Sequence, residues 1–247
     1  MALREELENS GNWLFKWRSF LPLFTVVLFI ISLKDFHSAS ENQQLDRTWK
    51  LFCLAISFLG LFFRVITVGS APRGTSGRNT QNQAAAVLNT SGSYSLMRHP
   101  LYFGNFLIWI GIVLSVRSFW FSLASILIFW IYYERIMFAE EEFLRKKFEK
   151  DYLDWAERTP AFIPNFSHWR APEQSIHWRP AIGSEYQGFL AIVATFSVLE
   201  FLQKSFAEKR LSLDPMWLGI LITSVVIYSV LRWIKKKTTY LNKAVSN

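Results

Sequence analysis

Two groups of polar residues stand beside strongly apolar stretches of this chain and have the side chains needed for chemistry. An Arg-His-Pro turn, from Arg98 to Pro100, precedes one apolar segment, and adjacent glutamates, Glu140 and Glu141, follow another. Charged groups at the ends of membrane segments are costly unless they bind a partner or a ligand. The pattern therefore predicts an enzyme site at a membrane surface.

The composition indicates a membrane protein, because 51% of the 247 residues are apolar and eleven are tryptophan. Six apolar segments have about the length needed to span a bilayer. They run from Trp17 to Leu33, Trp49 to Val68, Leu101 to Val116, Ser118 to Tyr133, Tyr186 to Leu202 and Pro215 to Trp233. We therefore predict an all-α, polytopic helical bundle of about six transmembrane helices, with a tight hairpin at Arg117.

The distribution of basic residues orients these segments. Most of the 27 lysines and arginines fall on the cytoplasmic side if both termini are cytoplasmic. The Arg-His-Pro turn and the glutamates then share that face. We divide the chain into N-terminal spans with a polar loop (1–91), a motif core (92–164), and an interfacial segment with two further spans (165–247).

His99 is predicted to cap the third span. Proline is favoured at the first position of a helix, and the residue before it is pushed out of the helical conformation. The backbone N–H groups at such a helix start can attract a carboxylate or a phosphate. Tyr102 and Gly104 lie in the first turns, where the missing side chain at Gly104 allows close approach of a ligand.

The glutamates differ in their helical neighbours. Glu141 and Glu142 each have a basic residue four positions later and can form ordinary surface pairs. Glu140 has only apolar residues at the corresponding spacings. A carboxylate on an apolar helix face needs a partner from elsewhere, and Arg98 or a cationic ligand would serve.

These residues belong to three ordered motifs. The motifs are Gly-x-Tyr-xxx-Arg-His-Pro-x-Tyr-x-Gly (92–104), Glu-Glu-xx-Leu-xxx-Phe-xxx-Tyr (140–152) and Thr-Pro-xxx-Pro (159–164). Together they resemble the isoprenylcysteine carboxyl methyltransferase family and, more distantly, the phospholipid N-methyltransferases. Glu149 departs from the pattern, since the family usually has glycine there. The chain also continues beyond Pro164 with two further spans, where the resemblance implies an end.

The resemblance implies an integral-membrane methyltransferase that uses S-adenosylmethionine and has no Rossmann domain. By position, the cofactor pocket would be lined by Tyr94, His99, Pro100, Tyr102, Glu140 and Glu141. Arg98 would hold the cofactor carboxylate or the acceptor, and Arg135 is a second candidate for binding the acceptor. The candidate catalytic residues are Arg98 and Glu140.

The sequence leaves the methyl acceptor open. Transfer from a sulfonium to an anionic oxygen neutralises both charges, and an ionised carboxylate or phosphate needs no general base. An amine acceptor would have to lose a proton, with Glu140 or His99 as the base. We expect methylation of an acidic oxygen on a lipid or lipidated substrate. A phospholipid amine N-methyltransferase and a non-catalytic membrane scaffold are the alternatives.

Neither a nucleic acid nor a metal is an expected partner. The basic run from Lys235 to Lys237 follows the last span, where it suits the anionic headgroups of membrane lipids. The four histidines are scattered without the spacing of metal ligands. The single cysteine, Cys53, lies within a span, so a disulfide framework or a cysteine metal site cannot be built.

Overall fold

The computed structural model describes residues 2–17, 29, 43–72 and 85–241, and every regular element among them is helical. The α-helices are α1 (Leu3–Trp17), α2 (Gln43–Ser70), α3 (Ser93–Leu96), α4 (Pro100–Ser115), α5 (Phe119–Ala156), α6 (Trp178–Glu208) and α7 (Pro215–Lys237). A short 3-10 helix covers Phe166–His168. The predicted all-α fold class is confirmed.

Four of these helices, α2, α5, α6 and α7, are long and apolar enough to cross a membrane, and α4 is a shorter apolar helix of 16 residues. They cover the second to sixth predicted segments, except for Val116 and Ser118 in the turn between α4 and α5. The first predicted segment, from Trp17 to Leu33, falls almost entirely outside the described residues. Helix α6 begins at Trp178, ahead of the predicted span from Tyr186 to Leu202, and the proline at position 180 is tolerated in its first turn.

The predicted hairpin between α4 and α5 is confirmed at Arg117, which has a φ of 59°. The left-handed conformation costs a residue other than glycine about 1–2 kcal/mol. Two contacts of the Arg117 side chain stabilise this turn. Its Nη1 lies 3.4 Å from Oδ1 of Asp46, and its guanidinium carbon lies 6.0 Å from the centroid of the Trp49 ring.

The chain divides into two compact units. The first comprises Met1–Phe24, Ile66–Phe103 and Ile126–Ile176, and therefore holds α1, α3 and the charged part of α5. The second comprises Thr25–Val65, Gly104–Ser125 and His177–Asn247, and holds most of α2 and α4 and all of α6 and α7. The three motifs fall in the first unit, apart from Gly104.

The core of the second unit is apolar and tightly packed. Its buried residues are Cys53, Leu54, Leu61, Ile192, Phe196 and Trp217. Helices α2 and α4 approach closely at Gly111, where an added Cβ would lie 2.3 Å from Oγ of Ser57 and 2.5 Å from the carbonyl oxygen of Cys53. Small residues at such contacts let membrane helices come together. The Cys53 side chain lies fully buried at this contact.

In the first unit, α1 packs against α5. An added Cβ at Gly11 would lie 2.1 Å from the carbonyl oxygen of Arg135, so the two backbones are nearly in contact. The hydroxyl of Tyr132 donates to the carbonyl of Leu14 over 2.9 Å, and Nη1 of Arg135 donates to Oγ of Ser10 over 3.1 Å. Arg135, the second candidate for acceptor binding, thus contacts α1.

Candidate functional site

Helix α4 begins at Pro100, and the residue before it is the predicted cap. The carbonyl oxygen of His99 accepts hydrogen bonds from the backbone N–H groups of Tyr102 and Phe103, both over 3.1 Å. The prediction that His99 caps this helix is confirmed. The His99 side chain is almost completely buried, with the residue only 4% exposed.

The first and third motifs are joined through their backbones. The N–H of Arg98 donates to the carbonyl of Pro160 over 2.9 Å, and the N–H of His99 donates to the carbonyl of Ala161 over 3.1 Å. The N–H of Asn165 donates in turn to the carbonyl of Leu96 over 3.0 Å. These bonds fix the Arg-His-Pro turn against the segment that follows α5.

The side chain of Arg98 joins this turn to the second motif. Its Nε donates to Oε1 of Glu141 over 2.8 Å, and its Nη1 donates to the carbonyls of Ala156 and Thr159 over 2.9 and 3.2 Å. The cation therefore satisfies carbonyls at the C-terminal end of α5, where positive charge is favourable. Arg98, an expected partner for Glu140, binds Glu141. Successive side chains on a helix point in different directions, so Arg98 binds one of the two adjacent glutamates.

His99 contacts both glutamates of the pair. Its Nε2 lies 3.0 Å from Oε1 of Glu141, and its Nδ1 lies 3.5 Å from Oε2 of Glu140. A neutral imidazole has one N–H donor, whereas the protonated ring has two, so this arrangement favours the cation. Although burial lowers it, the two carboxylates hold the pKa of His99 above its ordinary value. The Glu140 side chain is 34% exposed, compared with 25% for that of Glu141.

Glu141 and Glu142 do not form the local ion pairs that their helical spacing allowed, with Arg145 and Lys146 respectively. Glu142 is buried and accepts hydrogen bonds from Nε and Nη2 of Arg4 on α1, over 3.1 and 2.5 Å, instead of pairing with Lys146. Arg145 lies 3.6 Å from Glu142 rather than beside Glu141. The partners differ because of tertiary packing. Helix α1 and the Arg-His-Pro turn bring cations closer to these carboxylates than the basic residues on α5 are.

The remaining predicted site residues lie around this group. The ring of Tyr102 stacks on His99 with centroids 5.6 Å apart, and it lies 5.1 Å from the ring of Tyr133. Pro100 is fully buried, and Tyr94 lies in α3. The structure thus brings Arg98, His99, Tyr102, Glu140 and Glu141 together, while Arg135 contacts α1.

A cavity of about 810 Å³ lies beside these motifs. Its lining includes Thr159, whose carbonyl accepts a hydrogen bond from Arg98, and Ser95 of α3. Its charged and aromatic lining includes Asp151, Asp154, Trp155, Arg158 and Arg170. The buried Nε1 of Trp155 has no hydrogen-bond partner among the described residues. The volume falls within the range of about 300–1,000 Å³ that is typical of small-molecule and cofactor sites.

Sequence reasoning missed this lining, although a signal was present. Asp151, Asp154, Trp155 and Arg158 recur at the i, i+3, i+4 and i+7 spacing that places residues on one face of a helix. Within the described ranges, no group of three or more histidine, cysteine, aspartate or glutamate side chains is arranged to hold a metal ion.

The fold and site define a helical membrane protein in which an Arg-His-Pro turn binds two adjacent glutamates. The chain belongs to the family described as Protein of unknown function (DUF1295), whose pattern matches residues 1–159. The resemblance to isoprenylcysteine methyltransferases is confirmed by a relative from Arabidopsis thaliana, protein-S-isoprenylcysteine O-methyltransferase B. It is 32% identical over 144 residues, which are 58% of this chain and 71% of the relative.

Two bacterial relatives carry different names. The nickel-cobalt-cadmium resistance protein NccN of Alcaligenes xylosoxydans xylosoxydans is 30% identical over 131 residues, 53% of this chain and 59% of the relative. The cobalt-zinc-cadmium resistance protein CzcN of Cupriavidus metallidurans is 32% identical over 130 residues, 52% of this chain and 57% of the relative. The chain thus spans less than two thirds of each resistance protein. No solved structure matches it.

Proposed function

We propose that this protein is an integral-membrane methyltransferase that uses S-adenosylmethionine and modifies an acidic oxygen of a lipid or lipidated substrate at the cytoplasmic face. The observation that carries the proposal is the convergence of the three motifs on one group, in which His99 contacts both Glu140 and Glu141. The Arabidopsis relative, named as an O-methyltransferase, supports the reaction class.

The residues beside the motifs suit this cofactor, which supplies an activated methyl group on a sulfonium when bound. Carboxylates such as Asp151 and Asp154 can bind its cationic amine, and arginines such as Arg158 and Arg170 can bind its carboxylate. The Trp155 ring offers an aromatic surface for its adenine. Glu140, as the more exposed carboxylate of the pair, offers a further group that can bind positive charge.

The protonation state of His99 bears on whether the methyl acceptor is an acidic oxygen or an amine. Because both of its ring nitrogens face carboxylates, the contacts favour the protonated imidazole, and in that form the ring cannot accept a further proton. A carboxylate or phosphate acceptor is already ionised and requires no base, so His99 can act as a fixed cation that positions the glutamates. This arrangement favours an acidic oxygen over an amine as acceptor.

Calorimetric binding of S-adenosylmethionine and S-adenosylhomocysteine to the detergent-purified chain tests the cofactor assignment. Glu140→Gln should weaken binding at least about tenfold, since one charge-assisted contact is worth about 1.5–3 kcal/mol. Glu134→Gln is the matched control, because Glu134 is an exposed carboxylate on the same helix. The absence of binding to the folded protein, or equal losses in the two variants, would contradict the proposal.

Transfer of a labelled methyl group to a membrane lipid and lipoprotein extract tests the acceptor. A carboxyl methyl ester is hydrolysed by mild base and releases labelled methanol, whereas a methyl phosphodiester and an N-methyl group both survive this treatment. We expect label on a carboxyl or phosphate oxygen that is absent with Glu140→Gln and present with Glu134→Gln. Base-stable label on a lipid amine would support the amine N-methyltransferase alternative, and cofactor binding without any transfer would support a scaffold.

A further inference from the structure

The start of α6 and the end of α7 form a second polar region, beyond the residues that the family pattern matches. Polar and aromatic residues recur at helical spacing on one face of each helix. They are Arg179 and Tyr186 on α6, with Gly183 between them, and Tyr228, Arg232 and Lys235 on α7. The rings of Tyr186 and Tyr228 stack with centroids 5.3 Å apart, and Nζ of Lys235 donates to the carbonyl of Gly183 over 2.6 Å. The two faces are therefore in direct contact.

Aromatic rings fix the cations of this region without cancelling their charge. The Arg179 guanidinium carbon lies 4.2 Å from the Tyr240 ring centroid, and Nζ of Lys235 lies 5.3 Å from that of Tyr186. Nη1 of Arg232 donates to the hydroxyl of Tyr228 over 3.2 Å. We call Arg179, Arg232, Lys235, Lys236 and Lys237 the basic cluster. All are exposed except Lys235, which is partly buried.

The basic cluster keeps its net positive charge. Helix α7 contains no acidic residue. The acidic residue nearest to Arg179 along α6, Glu185, is buried and bound to Arg64 by two hydrogen bonds of 2.9 Å each. A bidentate pair of this kind satisfies the carboxylate. The exposed members of the cluster are therefore available for an external anion, and these are Arg179, Arg232, Lys236 and Lys237.

Exposed aromatic side chains place the cluster at a membrane boundary. Trp178 is the first residue of α6 and is 45% exposed, while Trp233 lies near the end of α7 and is 61% exposed. Tryptophan and tyrosine concentrate at the headgroup level of membrane proteins. Exposed Ile222, Val226 and Val230 lead along α7 towards this end and offer an apolar track for an acyl chain.

We propose that the basic cluster binds the phosphate of an anionic phospholipid between the start of α6 and the end of α7. The exposed cations bind the phosphate. The stacked rings of Tyr186 and Tyr228 and the hydrogen bond from Lys235 to Gly183 hold the two helices at a fixed separation. A lipid, rather than free phosphate, is the occupant because the cations stand beside an exposed tryptophan belt and an apolar track. This proposal is independent of the reaction that the protein catalyses.

Native mass spectrometry of the full chain in detergent, titrated with phosphatidylglycerol or phosphatidylcholine, tests the site. Each cation near an anionic lipid is worth about fivefold in binding, so Arg232→Gln with Lys236→Gln should weaken phosphatidylglycerol binding about 30-fold. Arg179→Gln, on the other helix, should weaken it about fivefold. The matched control is Lys209→Gln with Arg210→Gln, which removes two exposed cations at the opposite end of α6 and should leave binding unchanged.

Phosphatidylcholine binding and the lipid-free Tm should match the wild type in each variant, which separates loss of the site from misfolding. Wild-type phosphatidylglycerol affinity in both basic-cluster variants would overturn the proposal. So would equal affinity of the wild type for the two lipids. Displacement of phosphatidylglycerol by millimolar inorganic phosphate would also overturn it, because free phosphate would then be the preferred occupant.

Discussion

The Nε2 atom of His99 lies 3.0 Å from Oε1 of Glu141, and this contact joins the Arg-His-Pro turn to the paired glutamates. Glu141 also binds Nε of Arg98 through the same oxygen, so one carboxylate receives two adjacent cationic side chains. The neighbouring Glu140 faces the opposite nitrogen of His99 and is partly exposed. The group thus combines one carboxylate that contacts two cationic side chains with a second, more exposed carboxylate.

Thermal stability should depend on pH through His99. Its folded pKa is raised, so its contribution is fully present below about pH 6.5, the ordinary pKa of histidine, and is lost as pH rises through the raised value. We expect the Tm difference between the wild type and His99→Gln to be largest near about pH 6 and to shrink at alkaline pH. His168→Gln, at an exposed histidine, is the control. A difference that stays constant with pH would show that His99 contributes through packing alone.

Arg98→Ala should destabilise the protein strongly, because it removes a cation from Glu141 and from the carbonyls at the end of α5. Hydrogen bonds to a charged group contribute about 1.5–3 kcal/mol. We therefore expect the free energy of unfolding to fall by about 3 kcal/mol. Arg145→Ala, which removes a more exposed arginine on α5, should cost at most about 1 kcal/mol. Denaturant unfolding in detergent measures both changes, and similar losses would contradict the bridging role of Arg98.

Glu149→Gly should stabilise the protein. Glu149 interrupts α5 with a φ of 44° and a ψ of −113°, a conformation that favours glycine. Backbone strain of this kind costs about 1–3 kcal/mol, and glycine at this position would relieve most of it. Lys150→Gly is the control and should destabilise the helix by about 1 kcal/mol. A loss of stability with Glu149→Gly would show that the glutamate side chain outweighs the strain.

Gly11→Ala should detach α1 from α5. The added Cβ would overlap the carbonyl oxygen of Arg135, and overpacked contacts cost about 1–3 kcal/mol. Gly219→Ala on α7 serves as the comparison, since among the described residues nothing lies within 4 Å of its added Cβ. There we expect a gain of about 0.5–1 kcal/mol from helix propensity. Limited proteolysis within α1 reports its release from α5, and equal protection of the two variants would contradict the close contact.

Local sequence signals were sufficient for most helices but not for the side-chain contacts of the site. Helix α7 starts where predicted because Asp214 accepts hydrogen bonds from the N–H groups of Met216 and Trp217, and proline occupies the first helical position. The contacts of Glu141 with Arg98 and of Glu142 with Arg4 join residues 43 and 138 positions apart. Spacing along one helix cannot predict such pairs, because they depend on how separate elements pack.

The burial of Cys53 makes this chain a convenient starting point for chemical labelling. Its thiol is the only one in the sequence and lies against the close contact of α2 with α4, out of reach of aqueous reagents. A cysteine introduced at an exposed position, such as Leu3 on α1 or Thr239 after α7, would therefore be the sole reactive thiol. The sidedness of each terminus can be read from such variants with a membrane-impermeant maleimide, in otherwise native protein.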